Sequence, residues 1–376
     1  MSSVWTKARK NTPEIDCGLC GFTTCGAYSR SVIIGKAEIS ACPILRLQRY
    51  NEYRENLEAV SSEAKDTEKP APEQPEGGVL LSKPCMDNPN LLMAEMRIFN
   101  GVTPGKPMKY GALDPAILCW LLDCISTRYQ DMRCSKELAY AWGDMEEIKV
   151  HILRDGRVRM RRARGAEHAL ESFKIIERTV IGAVICNCCG RDLFTVLAGL
   201  AKPSDSTHTV LNAGSTLSIN QDLIDCTLKK EKAETKPVAQ MLDLIDEIYS
   251  DLRMQLDLMI SGNNLDEGLL DIRQKICKMI SLMVDSMDEE MDIIFLRGLS
   301  LAFFIDNAMS GLRTLQEMVT EKQSNVEIIT NLLNAVKQVA LQNLNDNAMD
   351  DNELLVFAHC ARVETAINLY NQWMKS

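Results

Sequence analysis

Residues 17–43 read CGLCGFTTCGAYSRSVIIGKAEISACP and contain four cysteines spaced Cys-x2-Cys-x4-Cys-x16-Cys: Cys17, Cys20, Cys25 and Cys42. Three close cysteines and one distant cysteine can supply one thiolate to each iron of a [4Fe–4S] cubane. A glycine follows each of the first three cysteines directly. Glycine permits tight turns and lets amide N–H groups approach the sulfurs. Pro43 matches the Cys-Pro ending of many ferredoxin motifs.

Two other interpretations of the four cysteines are open. A zinc site also uses four cysteines, but normally as two CxxC pairs, and no second pair follows in this segment. Four structural thiols would leave the interleaved glycines unexplained. The four histidines of the chain are too few and too scattered for a His-rich metal site. The spacing therefore predicts a [4Fe–4S] cluster.

The same segment resembles the small [4Fe–4S] domain at the start of the large subunit of the corrinoid iron–sulfur protein. It is also similar to the cluster domain in the B subunit of the Rnf electron-transport complex. The resemblance covers about residues 12–45, and all four cysteines are in register with the ligands of those families. It implies a low-potential cluster that passes single electrons, which in the corrinoid protein restores an oxidised cobalt. This chain lacks the barrel of repeated βα units that follows there, so we do not expect it to bind a corrinoid.

Composition sets the class of protein. A chain of 376 residues is long enough for two or three domains. It has no apolar run of the length that crosses a bilayer and no apolar secretory signal, which predicts a cytoplasmic protein without membrane contact. In such a protein fourteen cysteines indicate thiolate ligands or buried thiols rather than disulfides. The net charge of −10 argues against non-specific nucleic-acid binding.

Changes in composition along the chain predict an α+β multidomain protein. We expect a cluster module at 1–60, a flexible proline-rich linker at 61–78, an α/β domain with a Cys-rich loop at 79–234 and a helical bundle at 235–376. Apolar residues at three- and four-residue spacing predict an antiparallel bundle of four or five helices in the last region. The apolar stripes are Met241–Met259, Leu269–Met283, Met291–Met309, Val326–Leu341 and Leu354–Tyr370. The bundle contains no Glu-x-x-His pair for a di-iron site, so we interpret it as a module for protein contact or dimerisation.

The central region is predicted in more detail. Two strands, Glu147–Leu153 and Arg157–Arg162, join at the favoured turn Asp155-Gly156. Helices are predicted at Pro115–Tyr129, Ser135–Trp142 and Ala166–Arg178, and a buried strand at Val180–Ile185. That strand leads into Cys186, Cys188 and Cys189, where the interpretations are a second metal, cluster or redox-thiol site, or thiols that only pack. Cys85, Cys119, Cys124 and Cys134 are further candidate ligands, with packing as the alternative.

The densest basic run lies between Arg154 and Arg164. Strand alternation places Arg157, Arg159 and Arg161 on one face. That face is either a docking surface for an acidic partner, an anionic cofactor or RNA, or a solvated hairpin face, which we favour. The run lacks the interleaved aromatic residues of a base-stacking surface, which argues against nucleic acid.

These observations favour an iron–sulfur protein that transfers low-potential electrons to a partner metalloenzyme, or to the reductive activation or assembly of its metal centre. The resemblance points to anaerobic one-carbon or methanogenic metabolism. The rival hypotheses are a redox enzyme with a second cluster or reactive thiols in the central domain, and a scaffold that the cluster only stabilises. The sequence identifies no partner, electron donor or substrate.

Overall fold

The structure is a computed structural model, and it describes residues 4–66, 80–82, 91–98, 113–185, 190–195, 236–261, 263–286, 292–320, 329–331 and 350–375. The chain divides into two units. The first consists of Met1–Thr67, Phe194–Met279 and Asp288–Ser376, and the second of Glu68–Leu193 and Ile280–Met287. The boundaries drawn from composition stay a prediction. By contacts, however, the cysteine segment and the bundle helices belong to one unit.

The N-terminal part of the first unit has three helices, α1 (Val4–Lys10), α2 (Cys25–Ile33) and α3 (Asn51–Asp66). Helix α2 begins at Cys25 because the Thr24 side chain accepts the N–H of Ala27 at 3.0 Å and so caps the first turn. It ends before Gly35, whose φ of 70° leaves the helical region. All residues of α2 except Gly26 are buried, so this helix is part of the core on which the cysteine segment lies.

The other long elements described in the first unit are helices. The helices are α6 (Lys236–Ile260), α7 (Asp266–Ser286), α8 (Asp292–Thr320) and α9 (Asp351–Lys375), and α8 packs against both α6 and α9. Four of the five predicted stripes are therefore confirmed as helices, and the fifth, at 326–341, is described only at 329–331. Gly311 allows α8 to approach α9, since an added Cβ would lie 3.2 Å from the His359 carbonyl oxygen. No helix in the described ranges is long and apolar enough to cross a membrane.

The second unit contains a six-stranded sheet of order β1-β2-β6-β5-β4-β3, in which every pairing is antiparallel. The strands are β1 (Leu80–Ser82), β2 (Leu92–Arg97), β3 (Gln130–Ser135), β4 (Tyr140–Met145), β5 (Ile148–Ile152) and β6 (Arg157–Ala163). The β5–β6 hairpin is confirmed, with its turn at Gly156, φ 82°. The central region, predicted as an α/β domain, thus contains an antiparallel sheet with helices on one face.

Two local predictions in this unit are wrong. Residues Ser135–Trp142 form the end of β3, a turn and the start of β4 instead of a helix, because Ser135 pairs with Tyr140 across the hairpin. Residues Val180–Ile185 do not form a strand. They complete α5 (Ala166–Val180) and continue as a single 3-10 turn with isolated bridges at Val184 and Ile185. The segment is buried as predicted. Its apolar composition indicated burial but did not distinguish a strand from the end of a helix.

One face of the sheet packs against α5 and α4 (Pro115–Cys124). Cys119 of α4 and Cys134 of β3 form a disulfide, with their Cα atoms 5.3 Å apart. This pairing corrects the expectation that these two cysteines are ligands or packed thiols. Backbone approach is also close within the sheet, because a Cβ added to Gly143 of β4 would lie 2.7 Å from the Cα of Met132.

Candidate metal centre

The four predicted ligands lie within one short stretch of the first unit. Cys17 and Cys20 come from the loop that precedes α2, Cys25 is the first residue of α2, and Cys42 follows a 3-10 turn at Ile39–Ala41. None of the four is in a disulfide. Cys17, Cys25 and Cys42 are buried and Cys20 is half-buried. The local fold therefore removes four unbonded sulfurs from water.

The four thiols also affect one another's ionisation. Burial raises the pKa of Cys17 to about 12, and the negative charge of Cys42 adds to the shift. Burial, followed by Cys42 and Cys17, raises the pKa of Cys20 well above its usual value. Burial, Asp16, Cys17 and Cys20 do the same for Cys25. Such mutual effects require the sulfurs to lie close together, and without a compensating positive charge they would remain thiols.

Backbone amides donate to the sulfurs in a regular pattern. The amide of Leu19 hydrogen-bonds to Cys17, and that of Phe22 hydrogen-bonds to Cys20. The amides of Leu45 and Ile44 hydrogen-bond to Cys42. In all three cases one donor stands two residues after the cysteine. For Cys42 this donor is Ile44, and Leu45 is an additional donor. Each bond lowers the pKa of its thiol, so the backbone favours thiolates, the form that binds a metal.

The loop that holds Cys17 and Cys20 takes this shape because three of its residues have left-handed backbone angles. Asp16 has φ 51°, Gly18 φ 74° and Gly21 φ 82°, and the N–H of Gly21 donates to the carbonyl of Gly18 at 2.9 Å. Aspartate is one of the few residues other than glycine that adopts this region readily. The Asp16 carboxylate then accepts the N–H of Cys25 at 2.6 Å. The loop is thereby tied to the start of α2, where the helix dipole favours negative sulfur.

Two aromatic side chains lie beside the cysteines. Tyr28 and Phe22 are each almost fully buried, and their rings meet edge to face with centroids 5.9 Å apart. The Tyr28 hydroxyl donates to the carbonyl of Ile39 at 2.8 Å. Burial raises the pKa of Tyr28 above its usual value, and the charges of Cys42, Cys20 and Cys25 raise it further. These rings therefore exclude water from the sulfurs.

Residues far along the chain complete the surroundings. The positive charge of Arg362 on α9 lowers the pKa of Cys17. Thr365, one turn later, lies close to the loop, since a Cβ added to Gly18 would be 3.7 Å from its Oγ1. The N–H of Thr23 donates to the Thr195 hydroxyl oxygen at 3.2 Å, and the two hydroxyls are hydrogen-bonded as well.

Sequence analysis missed these residues because they are more than 150 positions away from the cysteines. The only signal was weak: Arg362 is the single Lys or Arg within the apolar stripe of Leu354–Tyr370.

The donor set fits an iron–sulfur cubane. Four unbonded thiols from one short stretch of chain can supply one thiolate to each iron of a cubane. Burial, amide donors and a helix N-terminus at the sulfurs match the environment that stabilises an anionic cluster.

The other predicted candidates have separate outcomes. Cys186, Cys188 and Cys189 lie outside the described residues, and so does Cys85. Cys124 is a buried thiol on α4. Most arginines of the basic run are on β6, whereas Arg154 precedes this strand and Arg164 follows it. On β6, Arg159 donates to Glu95 of β2 at 2.6 Å. Of the predicted candidates that the structure describes, only the four N-terminal cysteines therefore lie together.

Comparison with known proteins gives one match. A protein family described as "Putative Fe-S cluster" matches residues 13–44, which is fewer than a tenth of the chain and includes all four cysteines. No curated protein and no solved structure matches the chain. The match supports an iron–sulfur module at the N-terminus, and an iron–sulfur module in turn indicates a redox or electron-transfer role.

Proposed function

We propose that the chain binds a [4Fe–4S] cluster through Cys17, Cys20, Cys25 and Cys42, and that the protein transfers low-potential electrons. The acceptor would be a partner metalloenzyme, or the reductive activation or assembly of the metal centre of that enzyme. The observation that supports this most directly is the set of four unbonded thiols, three of them buried and Cys20 half-buried. Cys17, Cys20 and Cys42 each accept a hydrogen bond from the backbone amide two residues downstream. Amide donors to these sulfurs suit thiolates that bind a cationic group, because the cation offsets the cost of burying their negative charge.

Each neighbouring residue has a distinct part in this function. The cluster supplies one-electron chemistry. The amides of Leu19, Phe22 and Ile44 orient the sulfurs, and Leu45 adds a second amide to Cys42. Tyr28 excludes water, and a dry environment with a nearby carboxylate at Asp16 favours the low potential that the resemblance to the corrinoid and Rnf cluster domains implies. Anaerobic one-carbon or methanogenic metabolism is the setting that this resemblance suggests.

The bundle is the part that we propose to contact a partner protein or a second copy. Met254 on α6, Leu270 on α7 and Leu355 on α9 are exposed large apolar side chains. Single exposed apolar residues are common on any protein surface. These three lie on helices of the unit that also contains the cysteines, where they give a partner apolar side chains to contact.

The first experiment is iron and sulfide analysis of anaerobically purified protein, with EPR of the dithionite-reduced form. Wild type is expected to contain about four irons per chain. Cys42→Ala is expected to lose the cluster signal, whereas Cys277→Ala, a cysteine on α7 of the same unit, is expected to retain it. Zinc in place of iron in the wild type would overturn the proposal.

A triple Ala variant at Cys186, Cys188 and Cys189 tests the alternative of a redox enzyme. Four irons that are unchanged in this variant support a protein with a single cluster. About eight irons in the wild type, falling to four in the variant, would place a second cluster in the central region and favour an enzyme there.

A further inference from the structure

The sheet of the second unit has one face that α4 and α5 do not bury. Six cationic and two acidic side chains alternate outward on this face, together with three rings. The cations are Arg97, Arg133, Lys149, Arg157, Arg159 and Arg161, the acids Glu95 and Asp144, and the rings Tyr140, Trp142 and His151. We call these residues the open sheet face. Its net charge is positive, although the whole chain carries −10.

Strand register places cations and rings side by side. Arg133 pairs with Trp142, Trp142 with His151, His151 with Arg159 and Arg159 with Glu95, so that one continuous row crosses β3, β4, β5, β6 and β2. Residues paired in this way have Cβ atoms about 5 Å apart on the same face. With strands about 4.8 Å apart, the row spans about 19 Å.

The rings form one group. Tyr140 and Trp142 are stacked with centroids 5.5 Å apart at an angle of 24°. The Tyr140 hydroxyl and His151 Nδ1 are hydrogen-bonded at 2.6 Å, which holds both rings in place. Trp142 remains 39% exposed despite these contacts. An exposed, oriented indole offers a flat surface on which another ring can stack.

The cations of the face lie close enough to His151 to affect its ionisation. Burial lowers the pKa of His151, and the charges of Arg161, Arg159 and Lys149 lower it further, more than Asp144 offsets. Glu95 is paired with Arg157 and Arg159. Among the ion pairs of the described residues, none involves Arg133, Lys149 or Arg161, and Arg133 and Arg161 are exposed. These cations are available to anions from solution.

We propose that the open sheet face binds single-stranded nucleic acid. Bases would stack on Trp142 and its neighbouring rings, and phosphates would contact Arg133, Lys149 and Arg161. An extended, flat surface of about 19 Å suits a flexible strand of several nucleotides better than it suits a small ligand, which binds in a concave pocket. The sequence argument against nucleic acid rested on the absence of aromatic residues within the basic run. The rings come from β4 and β5, and only strand register places them beside it.

The test uses the full chain with its iron content verified and a fluorescein-labelled RNA of about 12 nucleotides, followed by fluorescence anisotropy from about 50 to 200 mM salt. Trp142→Ala is expected to weaken binding at least about fivefold, the loss of one stacked base. Trp142→Phe retains a ring and is expected to restore most of the affinity. If Trp142→Ala unfolds the sheet, the phenylalanine variant and the surface arginine variants still decide the outcome.

The salt dependence tests the phosphate contacts separately. Each phosphate contact to a single strand contributes about 0.7 to the slope of log affinity against log salt, so Arg133→Gln/Arg161→Gln is expected to lower the slope by about 1.4. Arg253→Gln/Arg313→Gln removes the same charge from exposed positions on α6 and α8 and is expected to change nothing. An equal decrease of the slope in both double variants would mean that RNA is attracted non-specifically to the whole protein, and would overturn the proposal.

Two further outcomes would also overturn it. One is the absence of oligonucleotide binding at the lowest salt concentration. The other is binding of polyglutamate but not of RNA, with the same dependence on Arg133 and Arg161, which would indicate an acidic protein partner. A DNA oligonucleotide of the same sequence shows whether the 2′-hydroxyl contributes, and binding of either strand supports the proposal.

Discussion

Two charged side chains act on the cysteine sulfurs with opposite sign, and their removal should move the reduction potential of the bound cluster in opposite directions. Asp16 raises the pKa of Cys25 and Cys17, whereas Arg362 lowers that of Cys17. A group that disfavours a thiolate also disfavours the extra electron of the reduced cluster. We therefore expect the potential to rise in Asp16→Asn and to fall in Arg362→Gln.

The magnitude follows from the position of Asp16. Its Oδ1 lies 2.6 Å from the backbone nitrogen of Cys25, and backbone and side-chain bond lengths then place the carboxylate about 7 Å from a cluster on that sulfur. Two unit charges at this distance interact with an energy of about 0.6 kcal/mol at the dielectric constant of water, and of about 2.4 kcal/mol at an effective dielectric constant of 20. For a one-electron couple about 1.4 kcal/mol corresponds to 59 mV, so the expected rise is about 25–100 mV.

Asp16→Asn removes the negative charge and retains the shape of the side chain. Asparagine tolerates the φ of 51° at this position, and its amide oxygen can still accept the N–H of Cys25. Asp131→Asn is the matched control, because Asp131 also has a left-handed φ, 53°, and lies exposed on β3. The control is expected to leave the potential unchanged.

The assay is a redox titration of the anaerobic protein, in which EPR reports the reduced fraction. Iron and sulfide contents are first shown to equal those of the wild type. The electrostatic reasoning is refuted if Asp16→Asn and Arg362→Gln shift the potential in the same direction. It is also refuted if neither variant differs from Asp131→Asn while the cluster is retained.

Three further predictions concern stability. Burial, with Arg362, lowers the pKa of His359 to about 4, while the unfolded chain protonates this histidine near 6.5. Below pH 6.5 the unfolded state therefore binds more protons than the folded state, and the free energy of unfolding falls. Between about pH 7 and pH 5, urea unfolding should show a fall that is about 2 kcal/mol larger in the wild type than in His359→Leu. An equal fall in both proteins would contradict this prediction. Gly143→Ala should lower the free energy of unfolding by about 1–3 kcal/mol, because the added Cβ meets the backbone of Met132 on the neighbouring strand β3. Gly165→Ala is the control: its Cβ would enter open space, so thermal unfolding should show a change of less than about 0.5 kcal/mol. Reducing the Cys119–Cys134 disulfide, which closes a loop with a sequence separation of 15, should cost about 3 kcal/mol in thermal unfolding; alkylation of both thiols without prior reduction would show that the bond is absent.

The cysteine segment was predictable because its contacts are local. The spacing of Cys17, Cys20, Cys25 and Cys42, with glycines between, determines turns and amide positions within about 30 residues, and those are the features that the structure places around the sulfurs. The long helices were predictable for the same reason, since an apolar stripe is a property of one element. Neither argument needs to know what packs against the segment.

Long-range contacts were not predictable. Arg362 and Thr195 reach the cysteine segment only because of how the chain folds, and nothing in the 17–43 motif specifies them. The helix predicted over Ser135–Trp142 failed for a related reason. Its helix-forming residues at 136–139 lie in the turn of a hairpin, where Ala139 has φ 49°, and pairing of the flanking strands overrides their propensity.

The net charge of a chain says little about any one face of the protein, because it averages over regions that act separately. The excess of acidic residues after Thr235 produces the negative total, while the open sheet face is positive. At physiological ionic strength a bound anion responds mainly to charges within about 8 Å. A ligand on the sheet is therefore governed by Arg133, Lys149 and Arg161 rather than by the charge of the whole chain. An acidic isoelectric point excludes polyanion binding only when no single face concentrates the cations, and here the strand register concentrates them beside stacked rings.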